Sequence, residues 1–443
     1  MNTEATSNIV NDSATNSVRS LWRNRRAFIV LFLLLAVVIN YIDRINLSVA
    51  APLISKEFGW DPGVMGIVFS SFLWTYVVCL IPAGLLTDRF GSRKVYAWAI
   101  SIWSAAAMLT GMITNFASMM AARLALGLGE SGTYPAGAIV IRRWIPANER
   151  GLVTCIFNGG AFLGPGLGTP LVGWLVVEAG WRPSFFILGA LGFLWLLFWL
   201  KFYDHPENCP WLSAAERDYI LAQTRIPDEP VERKAGLSAR QLVWRLISKG
   251  NTWKLIVTSG SGIYSIYLFL TWLPSYLVQA KGFELMKASV FSSVPFLVAF
   301  VFVMFTGKLS DRLLTPESIA RGGRRKMVIT FTLLSSIVFF TSMVDNQYLI
   351  LALISLALGA VATSTSLNLT LTIDMTGDPA IGASLFSIIV LGGNVFALTA
   401  PVVTGYIVKA TGKFEGAFFL AGALLIIGSI SCYSLSHKPI TLD

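Results

Sequence analysis

Twelve apolar runs follow one another through most of this 443-residue chain. Each is about 20 residues long, enough when wound as a helix to cross the ~30 Å hydrocarbon core of a bilayer. They lie near residues 27–52, 63–86, 95–114, 117–141, 151–177, 183–203, 253–279, 287–308, 327–344, 347–373, 381–408 and 416–436. A backbone surrounded by lipid has to satisfy its own polar groups, and a helix does this within one segment. The expected fold class is therefore an all-α membrane protein with twelve transmembrane helices. With 55% hydrophobic and 13% charged residues and a mean hydropathy of +0.66, the chain is far from a soluble domain.

The net charge of +10 would suit a nucleic-acid partner, but its placement argues against one. With both termini assigned to the cytoplasm, 26 of the 34 Lys and Arg fall on that side and six on the other (Lys56, Arg182, Lys281, Lys287, Lys409 and Lys413). Arg44 and Arg123 lie within apolar runs. That asymmetry is a topology signal, aided by attraction to anionic lipid. No nucleic acid is expected, and the partners implied are membrane lipids and a small molecule. His205 and His437 are the two histidines, and Cys79, Cys155, Cys209 and Cys432 form no CxxC pair, so no metal site is expected.

Residues 1–26 read as a disordered cytoplasmic tail rich in Ser, Asn and Thr. A six-helix bundle is expected over 27–203, a cytoplasmic linker over 204–250, a second bundle over 251–436 and a short tail over 437–443. Two capping-box patterns, Ser213 to Glu216 and Ser238 to Gln241, predict short helices in the linker. Pro52, Phe69-Ser70-Ser71 and Asp88-Arg89 recur as Pro274, Phe291-Ser292-Ser293 and Asp311-Arg312, at offsets of 222, 222 and 223. Gly159-Gly160 and Pro170 recur as Gly392-Gly393 and Pro401. An ordered series at near-constant offset points to a parallel internal repeat, with a site between two halves.

Within Ala27–Ser55 the only charges are Asp43 and Arg44. Ionisable groups at membrane depth are costly and mark ion or substrate paths. Arg44 suits a carboxylate, because its planar fork binds both oxygens and stays charged. Asp43 is then a second proton site, or the partner of Arg44 when no anion is bound. Arg123 and Glu130 are seven residues apart and share a helix face, with Gly127 between them leaving room for the arginine. Burial and a movable arginine give such a carboxylate a switchable proton affinity. A static pair that only packs the helix is the alternative.

Gly84-Leu-Leu-Thr-Asp88-Arg89-Phe-Gly91-Ser-Arg93-Lys94 joins the second and third runs, and Gly307 to Asp311-Arg312 is a weaker copy. Gly84 is expected to allow close helix approach, and Asp88 to accept from neighbouring donors. The pattern resembles the loop signature of the major facilitator superfamily. Three further segments resemble its anion:cation symporter family: Asn40-Tyr41-Ile-Asp43-Arg44-Ile-Asn46, Arg123 to Pro135, and Pro206 to Ile220. The resemblance implies a bacterial cytoplasmic-membrane transporter, expected as a monomer, that imports an organic anion with protons by alternating access. It also implies that Asp43, Glu130 and Arg123 couple protons while Arg44, Tyr41 and Tyr76 contact the substrate.

Asn158, Tyr264, Ser364, Asn368 and Asn394 are further candidates for substrate contacts, and Tyr267 and Trp272, on the same run as Tyr264, are expected either to line a pocket for a ring or to fill the interface. Ala161, Leu367 and Ser387 depart from the galactonate-type pattern at expected polyol contacts. A sugar acid leads, with an aromatic or smaller carboxylate next. Gly160-Ala-Phe-Leu-Gly164-Pro165 to Thr169 resembles an exporter motif, so proton-driven export is the rival direction; Gly-rich helix packing also explains it. No cofactor is expected beyond the coupling ion, a proton or alternatively sodium, and no constellation for an enzyme is present.

Overall fold

Side chains along each apolar run pack at helical spacing, and a computed structural model places almost all of them in long helices. It describes residues 25–147, 149–224, 239–377, 379–436 and 439–441. The tail before residue 25, the cap at Ser238, residues 437–438 and 442–443, and the side chains of Asp311 and Arg312 lie outside the described residues. Among the described residues twelve rods succeed one another: α1 (Arg26–Phe58), α2 (Pro62–Phe90), α3 (Ser92–Thr110), α4 (Phe116–Glu130, resuming as Thr133–Trp144), α5 (Arg150–Ala179) and α6 (Trp181–Phe202). After the linker come α7 (Gly250–Gln279), α8 (Leu285–Leu313), α9 (Gly323–Ser335, tightening into a 3-10 stretch at Ser336–Met343), α10 (Gln347–Asp374), α11 (Pro379–Thr411) and α12 (Glu415–Tyr433).

Ten of these rods are long and apolar enough to cross a membrane. The two that fall short have local reasons. α3 begins on Arg93 and Lys94, and α4 is interrupted at Ser131-Gly132, beside Glu130. Pro52 and Pro274 each sit inside the first rod of their half, as the repeat requires. The structure adds an echo of the repeat that the sequence does not show. Arg93 donates to the carbonyl of Leu200 at the end of α6, and Arg325 donates to that of Leu435 beyond α12.

In the first half α1 packs on α5 and α6, α3 on α4 and α6, and α2 on α4; in the second, α7 packs on α10, α11 and α12. The halves meet through α2 with α11, α5 with α8, and α1 with α7. The α2–α11 seam is closed at the end remote from the termini. Ser70 donates to the carbonyl of Leu398, and Asp61, which caps α2 through the Val64 amide, pairs with Lys409 at 2.9 Å. A Cβ on Gly66 would lie 2.5 Å from the Pro401 carbonyl oxygen, and one on Gly405 2.3 Å from that of Pro62. Toward the other end, Leu85 on α2, Asn158 on α5, and Ser366 and Thr370 on α10 are exposed. Asn158 is seven and eleven residues from buried Pro165 and Thr169, so it shares their inward face rather than that of exposed Leu167 and Trp174. The arrangement is closed on the far side and open on the side of the termini.

The linker helix Ala214–Thr224 is bound to that open-side end of the first half. The Ser213 hydroxyl caps it by accepting from the Glu216 amide at 3.3 Å. Glu216 does not complete the expected box; its carboxylate accepts from the Arg25 and Arg26 amides instead. Trp211 stacks on Trp144 at 5.6 Å, and buried Arg26 pairs with Glu149 at 2.9 Å.

Candidate functional site

Arg44 sits at mid-depth on α1 with its whole side chain enclosed, 2% exposed. Its Nε donates to Glu130 Oε2 at 2.6 Å, and Nη1 donates to the Tyr267 hydroxyl on α7 at 3.1 Å. Three rings surround the guanidinium: Tyr41 at 4.5 Å, and Phe72 and Tyr76 each at 5.1 Å to the centroid. Such faces attract a cation, most strongly where water is excluded. The guanidinium of the second arginine, Arg123, lies 5.2 Å from the centroid of the same Phe72 ring, so one phenyl serves both cations. Glu130 is fully buried and its Oε1 has no partner; the same holds for both oxygens of Asp43, Nη2 of Arg44 and Nε of Arg123. Asp43 lies in electrostatic reach of both Glu130 and Arg123. Four buried ionisable groups with unused hydrogen-bonding capacity are costly as a static feature and suit a site that takes up a charged ligand.

Two sequence expectations are corrected here. Asp43 does not hold Arg44; Glu130 does. Adjacent helical residues point about 100° apart and cannot face each other, whereas α4 brings Glu130 in from the side. Gly127 makes no room for Arg123 either. A Cβ there would stand 1.9 Å from the Phe72 carbonyl oxygen and 2.4 Å from Thr75 Oγ1, so the glycine lets α4 touch the α2 backbone. The Thr75 hydroxyl donates across that contact to the Leu124 carbonyl at 2.7 Å.

The other candidates are spread more widely. Tyr264 is buried one turn from Tyr267. Asn368 donates to the Leu255 carbonyl of α7 at 3.4 Å, and Asn394 donates within its own helix to Val390. Ser364 is turned toward α9, bonded to Thr332 and to the Val328 carbonyl. The structure thus gathers Asp43, Arg44, Arg123, Glu130, Tyr41 and Tyr76 around one point, and leaves Ser364 in a helix–helix contact. Phe72 is not assigned from sequence, and of the two alternatives for Tyr267 its bond to Arg44 favours the pocket. Phe72 directly follows the repeated Phe69-Ser70-Ser71 triplet; the signal for Tyr267 is the cluster of rings it forms in sequence with Tyr264 and Trp272.

In the loop motif Gly91 has φ +83°, a conformation that favours glycine, and Arg93 pairs with Asp204 at 3.0 Å. Arg89 is exposed with its guanidinium near Phe90, and Asp88 is exposed. Gly84 departs from expectation: nothing lies within 4 Å of where its Cβ would be, because α2 and α11 are apart at this end. The Gly160, Gly164 and Gly168 series packs α5 onto Val37, Val38 and Ile42 of α1, which accounts for it as helix packing.

A twelve-helix bundle of two repeats, with buried charges between the halves, defines a multi-pass membrane transporter. The family model described as Major Facilitator Superfamily matches residues 33–318, and the chain belongs to that superfamily, a family of transporters rather than enzymes. It is 32% identical to the probable galactarate/D-glucarate transporter of Escherichia coli (strain K12), covering 92% of each chain. It is also 32% identical to the D-galactonate transporter of Escherichia coli O6:H1, covering 92% of this chain and 94% of that one. Identity to the hexuronate transporter of Bacillus subtilis (strain 168) is 29%, covering 91% and 93%. Among solved structures, a bacterial homologue of the human lysosomal transporter Spinster, in an inward-facing and unoccupied conformation, superposes with a TM-score of 0.72 at 17% identity, covering 92% of this chain and 96% of that one.

Proposed function

We propose that this protein imports a sugar acid (an aldonate, aldarate or hexuronate) together with protons across a bacterial cytoplasmic membrane, by alternating access. The observation that carries this reading is Arg44, a buried cation caged by three rings and held by a single carboxylate, that of Glu130. The relatives named above as sugar-acid transporters support the substrate class. With the termini in the cytoplasm, the conformer is open to the cell interior.

The hypothesised cycle follows from competition for one guanidinium. Protonated Glu130 no longer needs Arg44, which then presents its fork to the substrate carboxylate. After the anion leaves, Glu130 gives up its proton and recaptures Arg44 at the distance seen here. Asp43 is a second proton carrier beside it. Moving an anion into a negative-inside cell is opposed by about 2.3 kcal/mol per charge per 100 mV; one proton cancels that for a monoanion, and a second makes uptake electrogenic. Tyr267 belongs to the opposite half, so its bond to Arg44 links the state of the site to the approach of the halves.

The test is uptake of labelled galactonate, glucarate and glucuronate by the full chain in liposomes, with and without an inward proton gradient. Gradient-dependent accumulation is expected, and Glu130→Gln should abolish it while exchange of internal for external substrate continues. Accumulation that ignores both the gradient and a protonophore would overturn the proposal, and gradient-driven depletion would make the protein an exporter.

A further inference from the structure

Glu130 has no exposed surface even in this conformer, which is open on the side of the termini. A proton leaving it past Arg44 would have to travel the anion's own route. Behind Glu130, however, the interior of the first half is unusually polar for a packed apolar cluster. The hydroxyls of Tyr96 and Thr133 and the indole nitrogens of Trp103 and Trp195 are buried without a hydrogen-bond partner, as is Glu130 Oε1. None of these residues is more than 6% exposed. Buried polar atoms are normally satisfied by protein or by ordered water, and so many in one place mark a hydrated interior.

They are also contiguous. Asn40 stands beside Glu130. Thr133 is seven residues from both Leu126 and Val140, which share one cluster with Tyr96, Trp103 and Trp195. A Cβ on Gly129 would meet the Trp103 backbone nitrogen at 2.5 Å, which sets Trp103 against α4 next to Glu130. Tyr96 lies 5.7 Å from Trp195 and 5.1 Å from Trp199, ring to ring. Below them the Tyr203 and Ser92 hydroxyls bond at 3.1 Å, at the ends of α6 and α3 nearest the termini. The sequence of polar groups therefore descends from mid-depth to that face.

We propose that the space between α1, α3, α4 and α6 binds a file of water molecules through which the Glu130 proton reaches the side of the termini, separate from the path of the anion. This inference rests on the proton-symport reading. The carboxyl O–H bond breaks as a water oxygen accepts the proton; each water or hydroxyl then passes on a proton it already held, and the last goes to bulk water. Tyr96 and Thr133 can relay, since a hydroxyl both donates and accepts, whereas the two indoles donate only and so anchor the file. Arg44, Arg123 and Asp43 are the charged groups around its upper end.

The experiment compares two assays on liposomes containing the full chain: proton-gradient-driven uptake, and substrate exchange at equal pH, which needs no net proton release. For Tyr96→Phe with Thr133→Val, the maximal driven uptake should fall about tenfold with KM nearly unchanged, while exchange persists. Driven uptake that is unaffected, or that falls in step with exchange, overturns the water file. If the wild-type protein shows no dependence on a proton gradient, it is the symport reading that fails. The file itself is then judged by hydroxyl-radical footprinting in X-ray-irradiated nanodiscs. Rapid labelling of buried Tyr96 and Trp103, compared with buried Phe185, supports bound water; labelling as slow as that of Phe185 removes it.

Discussion

Replacing Gly66 by alanine should hold the transporter open on its far side. The added Cβ would lie 2.5 Å from the Pro401 carbonyl oxygen and 3.1 Å from Val402 Cα. Both obstacles are backbone, so no rotamer change relieves them. Reaching ordinary contact requires the α2–α11 seam to part by about 1 Å. Overpacking of this kind costs about 1–3 kcal/mol, and the cost falls only on the conformer in which the seam is closed. A bias of that size changes the ratio of two states about 5- to 150-fold. Spin labels on Ala117→Cys and Lys413→Cys, with the four native cysteines replaced, report the distance across the far side. The wild-type distribution should be short and dominated by one population. Gly66→Ala should add a longer population, and Gly405→Ala should do the same from the opposite helix, where its Cβ would lie 2.3 Å from the Pro62 carbonyl oxygen. A folded, monodisperse Gly66→Ala protein with the wild-type distribution would refute the claim that backbone approach at this seam sets closure.

Other outcomes follow from single contacts. Gly127→Ala places a Cβ 1.9 Å from the Phe72 carbonyl and should destabilise the fold by about 1–3 kcal/mol, read as a lower Tm in detergent; an unchanged Tm would show that α4 can back away freely. Arg44→Lys loses the fork and should weaken binding of a carboxylate substrate by roughly 10- to 100-fold, the worth of one charge-assisted hydrogen bond; calorimetry with the preferred acid checks this, and equal affinity would remove Arg44 from the site. The Lys409 ammonium, helped by the Val64 amide, holds the Asp61 carboxyl below the usual aspartate range. Its contribution to far-side closure is therefore complete above that ordinary range, near pH 4, and is lost as pH falls through the depressed value. With the same label pair, the difference in closure between the wild type and Asp61→Asn should be constant from about pH 8 to pH 5 and vanish only in stronger acid.

Much of the fold was legible because lipid imposes a length and a composition on every crossing segment, whatever its neighbours. Pro52 and Pro274, and the Asp88 and Asp311 motifs, make the repeat legible in the sequence. Asp43, Arg44, Arg123 and Glu130 also stood out, since a charge in an apolar run is conspicuous by itself. Their partners did not. That Glu130 holds Arg44, that Tyr267 reaches it from the other half, and that Phe72 lies by both arginines depend on how α1, α2, α4 and α7 rotate against one another. Gly84 and Gly127 are the same residue type in similar apolar settings, yet one faces open space and the other a carbonyl at 1.9 Å. Periodicity along one helix fixes which residues share a face; the azimuth of that face toward another helix is set by packing between segments far apart in the chain. The sequence alone determined the helices, their repeat and the charges buried in them, while only the tertiary structure decided which charges meet and which end of the bundle is closed.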